Sequence, residues 1–185
     1  MNANRHKIEE TLGVDLIMYH HSFKSYVLIQ YKRLVKDGDI LSYRPIDKSY
    51  IDEIKRMEEF QEKNVTLKDA TANDFRLNNE FFYFKLCQSQ IKNPLATEMI
   101  SGMYLPLSYW KILLNSDITL GERGGRLLSY SNVKRYITNT FFIELVQDGW
   151  VGSQLSDTEA VTQIIQEAIA GNRSVILANY EQIIT

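Results

Sequence analysis

Asp15, Gln30 and Lys32 are the residues whose types and spacing suit a chemical task. Asp15 heads the run Asp15-Leu16-Ile17-Met18-Tyr19, and Gln30 and Lys32 sit two apart in Tyr26-Val27-Leu28-Ile29-Gln30-Tyr31-Lys32-Arg33. Both runs are rich in β-branched and aromatic residues, and the polar gap from His21 to Ser25 is of hairpin size. Strand alternation sends Gln30 and Lys32 to one face and Ile29 and Tyr31 to the other. A carboxylate, an amide oxygen and an ammonium thus converge at the edge of a small sheet. Metal-assisted phosphodiester cleavage needs that inventory: hard oxygens for Mg²⁺ or Mn²⁺, and a cation beside the attacking water or the phosphate. Placing Gln30 and Lys32 in an otherwise apolar strand costs free energy unless something pairs with them.

Around these residues the sequence predicts a short helix over about residues 5–12, stopped by Gly13, and then the hairpin. Asp37-Gly38-Asp39 marks a turn, and Leu41 to Pro45 is expected to be extended because Arg44 precedes a proline. Lys48 to Lys63 reads as a helix, with Ile51, Ile54, Met57 and Phe60 as its apolar stripe and a charged, solvated remainder. Glu80 to Cys87 is an aromatic-rich run that predicts a strand covered on both faces. Beyond it, Leu107 to Asn115 and Asn139 to Val146 read as helices. Ser156-Asp157-Thr158-Glu159 is a capping box for a further helix to Ala170, and Ser174 to Leu177 suits either a strand or a last helix. Gly121-Glu122-Arg123-Gly124-Gly125-Arg126 lacks the Lys-Ser/Thr of a P-loop. It is either a phosphate-contacting loop through Arg123 and Arg126 or a plain surface loop.

Asp15, the hairpin and Gln30-Tyr31-Lys32 together resemble the PD-(D/E)XK nuclease superfamily, and most closely its Mrr-like variant with Gln-x-Lys in place of Glu-x-Lys. The resemblance covers roughly the first half of the chain. It implies an α/β, restriction-endonuclease-like core over residues 1–92 (helix, β-hairpin, strand, crossover helix, strand). Residues 93–185 would then form a mostly helical extension packed on that core as one globular unit. It also implies a further acid from the first helix, Glu9 before Glu10. Mg²⁺ or Mn²⁺ would be held by Glu9, Asp15, the Gln30 side chain or the Tyr31 carbonyl, with Lys32 orienting water or neutralising the phosphate. Arg33 and Lys36 would touch the nucleic-acid backbone. DNA is favoured over RNA as substrate. A homodimer, or a separate sensing domain or subunit of a restriction or anti-phage system, is the implied partner. Gln30 removes one negative charge from the usual ligand set. That leaves open a nuclease-fold protein that binds nucleic acid or a protein partner without cutting.

Composition narrows the alternatives. The 185 residues carry a net charge of −2, so any nucleic-acid contact must use a local positive patch. Cys87 is the single cysteine, which excludes an internal disulfide and a cysteine-rich zinc cluster. Its apolar setting predicts an inert thiol. His20 and His21, near the hairpin tip, are expected on the surface. The polar start Met1-Asn-Ala-Asn-Arg-His-Lys does not read as a signal peptide, and the expected location is the cytoplasm.

Overall fold

The structure, a computed structural model, describes residues 14–46, 48–64, 71–78, 80–88, 101–154, 162–163, 165–166 and 177–180. Leu16–His20 (β1) and Ser25–Asp37 (β2) form the expected antiparallel hairpin, with Leu16 opposite Ile29 and His20 opposite Ser25. The far end of β2 leaves the hairpin and pairs with Ile40–Tyr43 (β3), Val35 lying opposite Ser42. Lys48–Asn64 (α1) then carries the chain back, so that Phe82–Gln88 (β4) lies parallel to β2 with Gln30 beside Phe84 and Lys32 beside Leu86. A parallel neighbour requires such a crossover, which is why this helix follows the hairpin.

The second half was expected to be mostly helical, and it also supplies strands. Gly102–Pro106 (β5) pairs antiparallel with β4, and Leu107–Asn115 (α2) follows at once. Leu128–Ser129 (β6) pairs with β3, and Asn139–Gln147 (α3) has Thr138 as its N-cap. Leu177–Tyr180 (β7) lies parallel to β1, so the strand-or-helix run ends in a strand at Leu177, while residues 174–176 lie outside the described residues. The mixed sheet runs β5-β4-β2-β1-β7, with β3 and β6 off that path. Met103-Tyr104-Leu105 was not legible as a strand because five residues before a proline give too short a pattern. The aromatic face of β4 supplies the pairing that makes it one. The capping box at Ser156 lies outside the described residues. No helix among the described residues is long and apolar enough to cross a membrane.

Two cores flank the sheet, as alternation on β2 and β4 demands. On one face Leu28, Leu34, Phe82, Phe84 and Leu86 pack with Met57 of α1 and Trp110 of α2. Trp110 stacks on Phe84 with ring centroids 4.1 Å apart, and its indole N–H donates to the Tyr50 hydroxyl. On the other face Val27, Ile29, Tyr83 and Tyr104 pack with Phe142, Leu145 and Val146 of α3. The α1 stripe differs from the expected one. Tyr50 and Met57 are buried with Ile54 and Phe60 beside them, while Ile51 is exposed.

Helix α3 ends in a Schellman arrangement: Trp150 N–H donates to Leu145 O (2.9 Å) and Gly149 N–H to Val146 O (3.1 Å). Gly149 has φ +67°, and a Cβ there would fall 2.3 Å from the Phe23 ring. Gly149→Ala is therefore expected to cost about 1–3 kcal/mol in urea unfolding. Gly124→Ala shares the positive φ (+78°) with open space around it, and should cost less. Equal losses would remove the Phe23 clash from the explanation.

Candidate functional site

Asp15 lies just before β1, and its backbone N–H donates to Ile29 O (2.9 Å). The hairpin register therefore brings its side chain beside Gln30 and Tyr31. Asp15 Oδ2 accepts from the Tyr31 backbone N–H at 2.7 Å, in place of the next ladder bond. Gln30 Nε2 donates to the Tyr31 carbonyl at 3.3 Å. Two side chains are thus hung on the two polar groups of one residue, and that residue is where Asp15 and Gln30 meet.

Gln30 is 4% exposed, and its Oε1 is buried with no hydrogen-bond partner among the described residues. An unsatisfied buried carbonyl costs on the order of 1–3 kcal/mol. Native proteins rarely keep one without a water, an ion or a function to fill it. The Gln30 Oε1, the Tyr31 carbonyl and the Asp15 carboxylate are all hard oxygens, the donor chemistry that suits Mg²⁺ or Mn²⁺. On that test these residues fit a divalent ion. No three His, Cys, Asp or Glu gather as a metal cluster among the described residues, so carbonyl oxygens would carry much of the binding. Glu9 and Glu10 lie outside the described residues.

Lys32 is turned elsewhere. Its ammonium pairs with Glu53 of α1, the two side chains being 12% and 13% exposed, and stands 5.7 Å from the Tyr50 ring centroid. Lys32 was expected at an open cleft and is instead clasped by a largely buried acid. Glu53 was missed because α1 reads as a charged surface. The available signal was its position between Tyr50 and Met57, on the edge of the buried stripe.

The opposite face holds a second lysine that the sequence reading passed over. Lys85 is 4% exposed, with its ammonium 5.6 Å from the Tyr31 ring centroid and 4.9 Å from that of Tyr104. Burial lowers its pKa, and the neighbouring Cys87 works against that shift. Burial raises the Cys87 thiol, Lys85 opposes this, and Asp15 adds to it, which fits the expected unreactive thiol. The Tyr31 hydroxyl is raised by burial, then by Cys87 and Asp15. The signal for Lys85 was a lone charge in Phe81-Phe82-Tyr83-Phe84-Lys85-Leu86-Cys87.

The remaining cations are dispersed. Arg33 is exposed and lies beside Cys87 across the β2–β4 pair. Lys36 is exposed where β2 pairs with β3, about 20 Å along the strand from Gln30 at the usual rise. Arg126 Nη1 donates to Ser116 O at 2.7 Å, and Arg123 is exposed at the tip of the glycine turn. His20 corrects the surface expectation. It is 1% exposed, with Nε2 2.9 Å from Gln147 O and Nδ1 accepting from Phe23 N–H. A protonated Nε2 satisfies both bonds, so His20 ties the hairpin tip to the end of α3. His21 is exposed.

No protein-family model, curated protein or solved structure matches this chain.

Proposed function

We propose that the chain is a metal-dependent nuclease with a restriction-endonuclease-like core, cleaving phosphodiester bonds in nucleic acid, DNA before RNA. The observation that carries this reading is the meeting of the Asp15 and Gln30 side chains on the backbone of Tyr31, with the buried Gln30 Oε1 left without a hydrogen-bond partner among the described residues. The hairpin, crossover helix and parallel strand support it, while the first helix of the resemblance lies outside the described residues. Asp15, Gln30 and the Tyr31 carbonyl, joined by Glu9, would hold Mg²⁺ or Mn²⁺. When bound, such an ion polarises a phosphoryl oxygen and lowers the pKa of water. Asp15 and Gln30 orient the ligand oxygens through Tyr31, and Lys32 supplies positive charge to the phosphate once it is free of Glu53. A role as the cutting part of a restriction or anti-phage system, with sensing on another domain or subunit, extends the same reading.

The Lys32–Glu53 pair favours a second reading. A lysine neutralised by a buried acid suits a nuclease-fold protein that binds without cutting. The two separate on one experiment: plasmid DNA and RNA incubated with the full chain, with Mg²⁺, Mn²⁺ or chelator, alongside thermal melts. Metal-dependent nicking supports the nuclease. A metal-dependent melting shift without any cleavage supports the binder. Neither effect would sink both.

Gln30→Glu tests the ligand set. In chelator it should lower stability by about 1–2 kcal/mol, because a second carboxylate stands beside Asp15 and the donor to Tyr31 O is lost. In Mg²⁺ it should recover, with a larger metal-induced rise in melting temperature than the parent. An equal rise in both proteins would remove residue 30 from the ligand set.

A further inference from the structure

From Arg123 to Ile143 the sequence holds four cations (Arg123, Arg126, Lys134 and Arg135) and no Asp or Glu, in a chain whose net charge is −2. Within that stretch Tyr130 and Tyr136 are each 40% exposed, their rings edge to face at 5.6 Å between centroids. The loop that presents them is pinned. Ser129 N–H donates to Asn132 Oδ1 (2.9 Å), Asn132 Nδ2 to Leu127 O (2.7 Å), and Val133 N–H to Ser129 O (3.0 Å). Leu128 and Val133 are buried beneath it, and Ile137 exchanges both backbone hydrogen bonds with Tyr104 of β5 (2.9 and 3.0 Å). Two aromatic side chains in contact on a fixed loop, with cations beside them, offer a surface that can bind.

This loop connects to the site residue by residue. Tyr104 faces the Lys85 ammonium, Lys85 faces the Tyr31 ring, and the Tyr31 backbone holds Asp15. Among the described residues neither Lys134 nor Arg135 has an acidic partner. Lys134 is exposed, and the Arg135 guanidinium lies 5.6 Å from the Tyr109 ring centroid.

We infer that Tyr130 and Tyr136, flanked by Lys134 and Arg135, form a stacking platform for unpaired bases of a single-stranded nucleic acid leading toward Asp15 on the Tyr31 side of the sheet. Only this direction of travel rests on the nuclease reading. Exposed ring faces stack on free bases of any sequence, whereas duplex bases are already stacked on one another. The adjacent cations suit the strand's phosphates, and an acid-free stretch is what a polyanion requires.

The test is fluorescence anisotropy of the full chain in chelator, with labelled oligothymidylate, oligouridylate and a duplex of about twenty nucleotides, long enough for the site sizes of such platforms. At least one single strand should bind more tightly than the duplex, and the two single strands show whether DNA or RNA is preferred. Tyr130→Ala and Tyr136→Ala should each weaken binding about fivefold or more, and Tyr136→Trp should retain it. Lys134→Gln touches no core residue, and should flatten the salt dependence by a log–log slope of about 0.7. Duplex preference, no single-strand binding, or tyrosine variants that bind like the parent would overturn the inference. A chain that binds in chelator but never cuts removes the nuclease and keeps the platform. A chain that cuts plasmid yet ignores the oligonucleotides keeps the nuclease and removes the platform.

Discussion

Asp15→Asn is expected to lower metal-dependent cleavage by about a hundredfold or more while leaving the fold in place. The asymmetry follows from how Asp15 is held. Oδ2 accepts from Tyr31 N–H at 2.7 Å, and the carbonyl oxygen of an asparagine can accept the same bond. The bond to Tyr31 N–H is therefore kept while the negative charge disappears. That charge matters more here than in a site with two or three carboxylates, because Gln30 contributes a neutral oxygen. Asp15→Ala removes charge and acceptor together, and should cost a further 1–2 kcal/mol or so by leaving Tyr31 N–H unpaired. Cleavage rates and urea melts of the two variants check the separation. An Asp15→Asn protein that cuts at the parental rate would end the metal-site assignment.

The hairpin and the arrival of Asp15 at its far strand were legible because strand alternation is a local rule. Once Leu16–His20 and Ser25–Asp37 pair, Asp15 can only arrive beside Gln30 and Tyr31. The extent of α1 was legible too, since its charged run shows a helical period from Lys48 onward. Its buried face was misread because Ile51 lacks the polar hydroxyl of Tyr50 and so reads as the core residue, yet Tyr50 reaches Trp110 and the Lys32 ammonium. Partners distant in sequence were invisible for a similar reason. Nothing near His20 announces Gln147, and nothing near Lys32 announces Glu53. Short strands such as β5 and β7 carry too little pattern to be read alone, and acquire their state from the strand they pair with. What local pattern supplied was the placement of donors, and what it could not supply was which of them arrive already occupied.

Lys32 is the residue for which that distinction changes the expected result. If Lys32 is the cation that meets the phosphate, as proposed, Lys32→Ala should lower cleavage by about a hundredfold. It should also cost about 1–3 kcal/mol in stability, because Glu53 is left largely buried with no counter-charge. A single variant thus confounds chemistry with folding. Glu53→Gln keeps the lysine and releases its ammonium, so nucleic-acid affinity should rise and cleavage should hold or increase. The double variant Lys32→Met with Glu53→Gln removes both charges and leaves a better matched interior. It should recover part of the stability lost in Lys32→Ala, since replacing a buried ion pair is cheaper than breaking one. If Lys32 acts on the phosphate, this stable double variant stays inactive. A double variant that cuts like the parent would mean that the pair only fastens α1 to β2, and that positive charge reaches the phosphate from another residue.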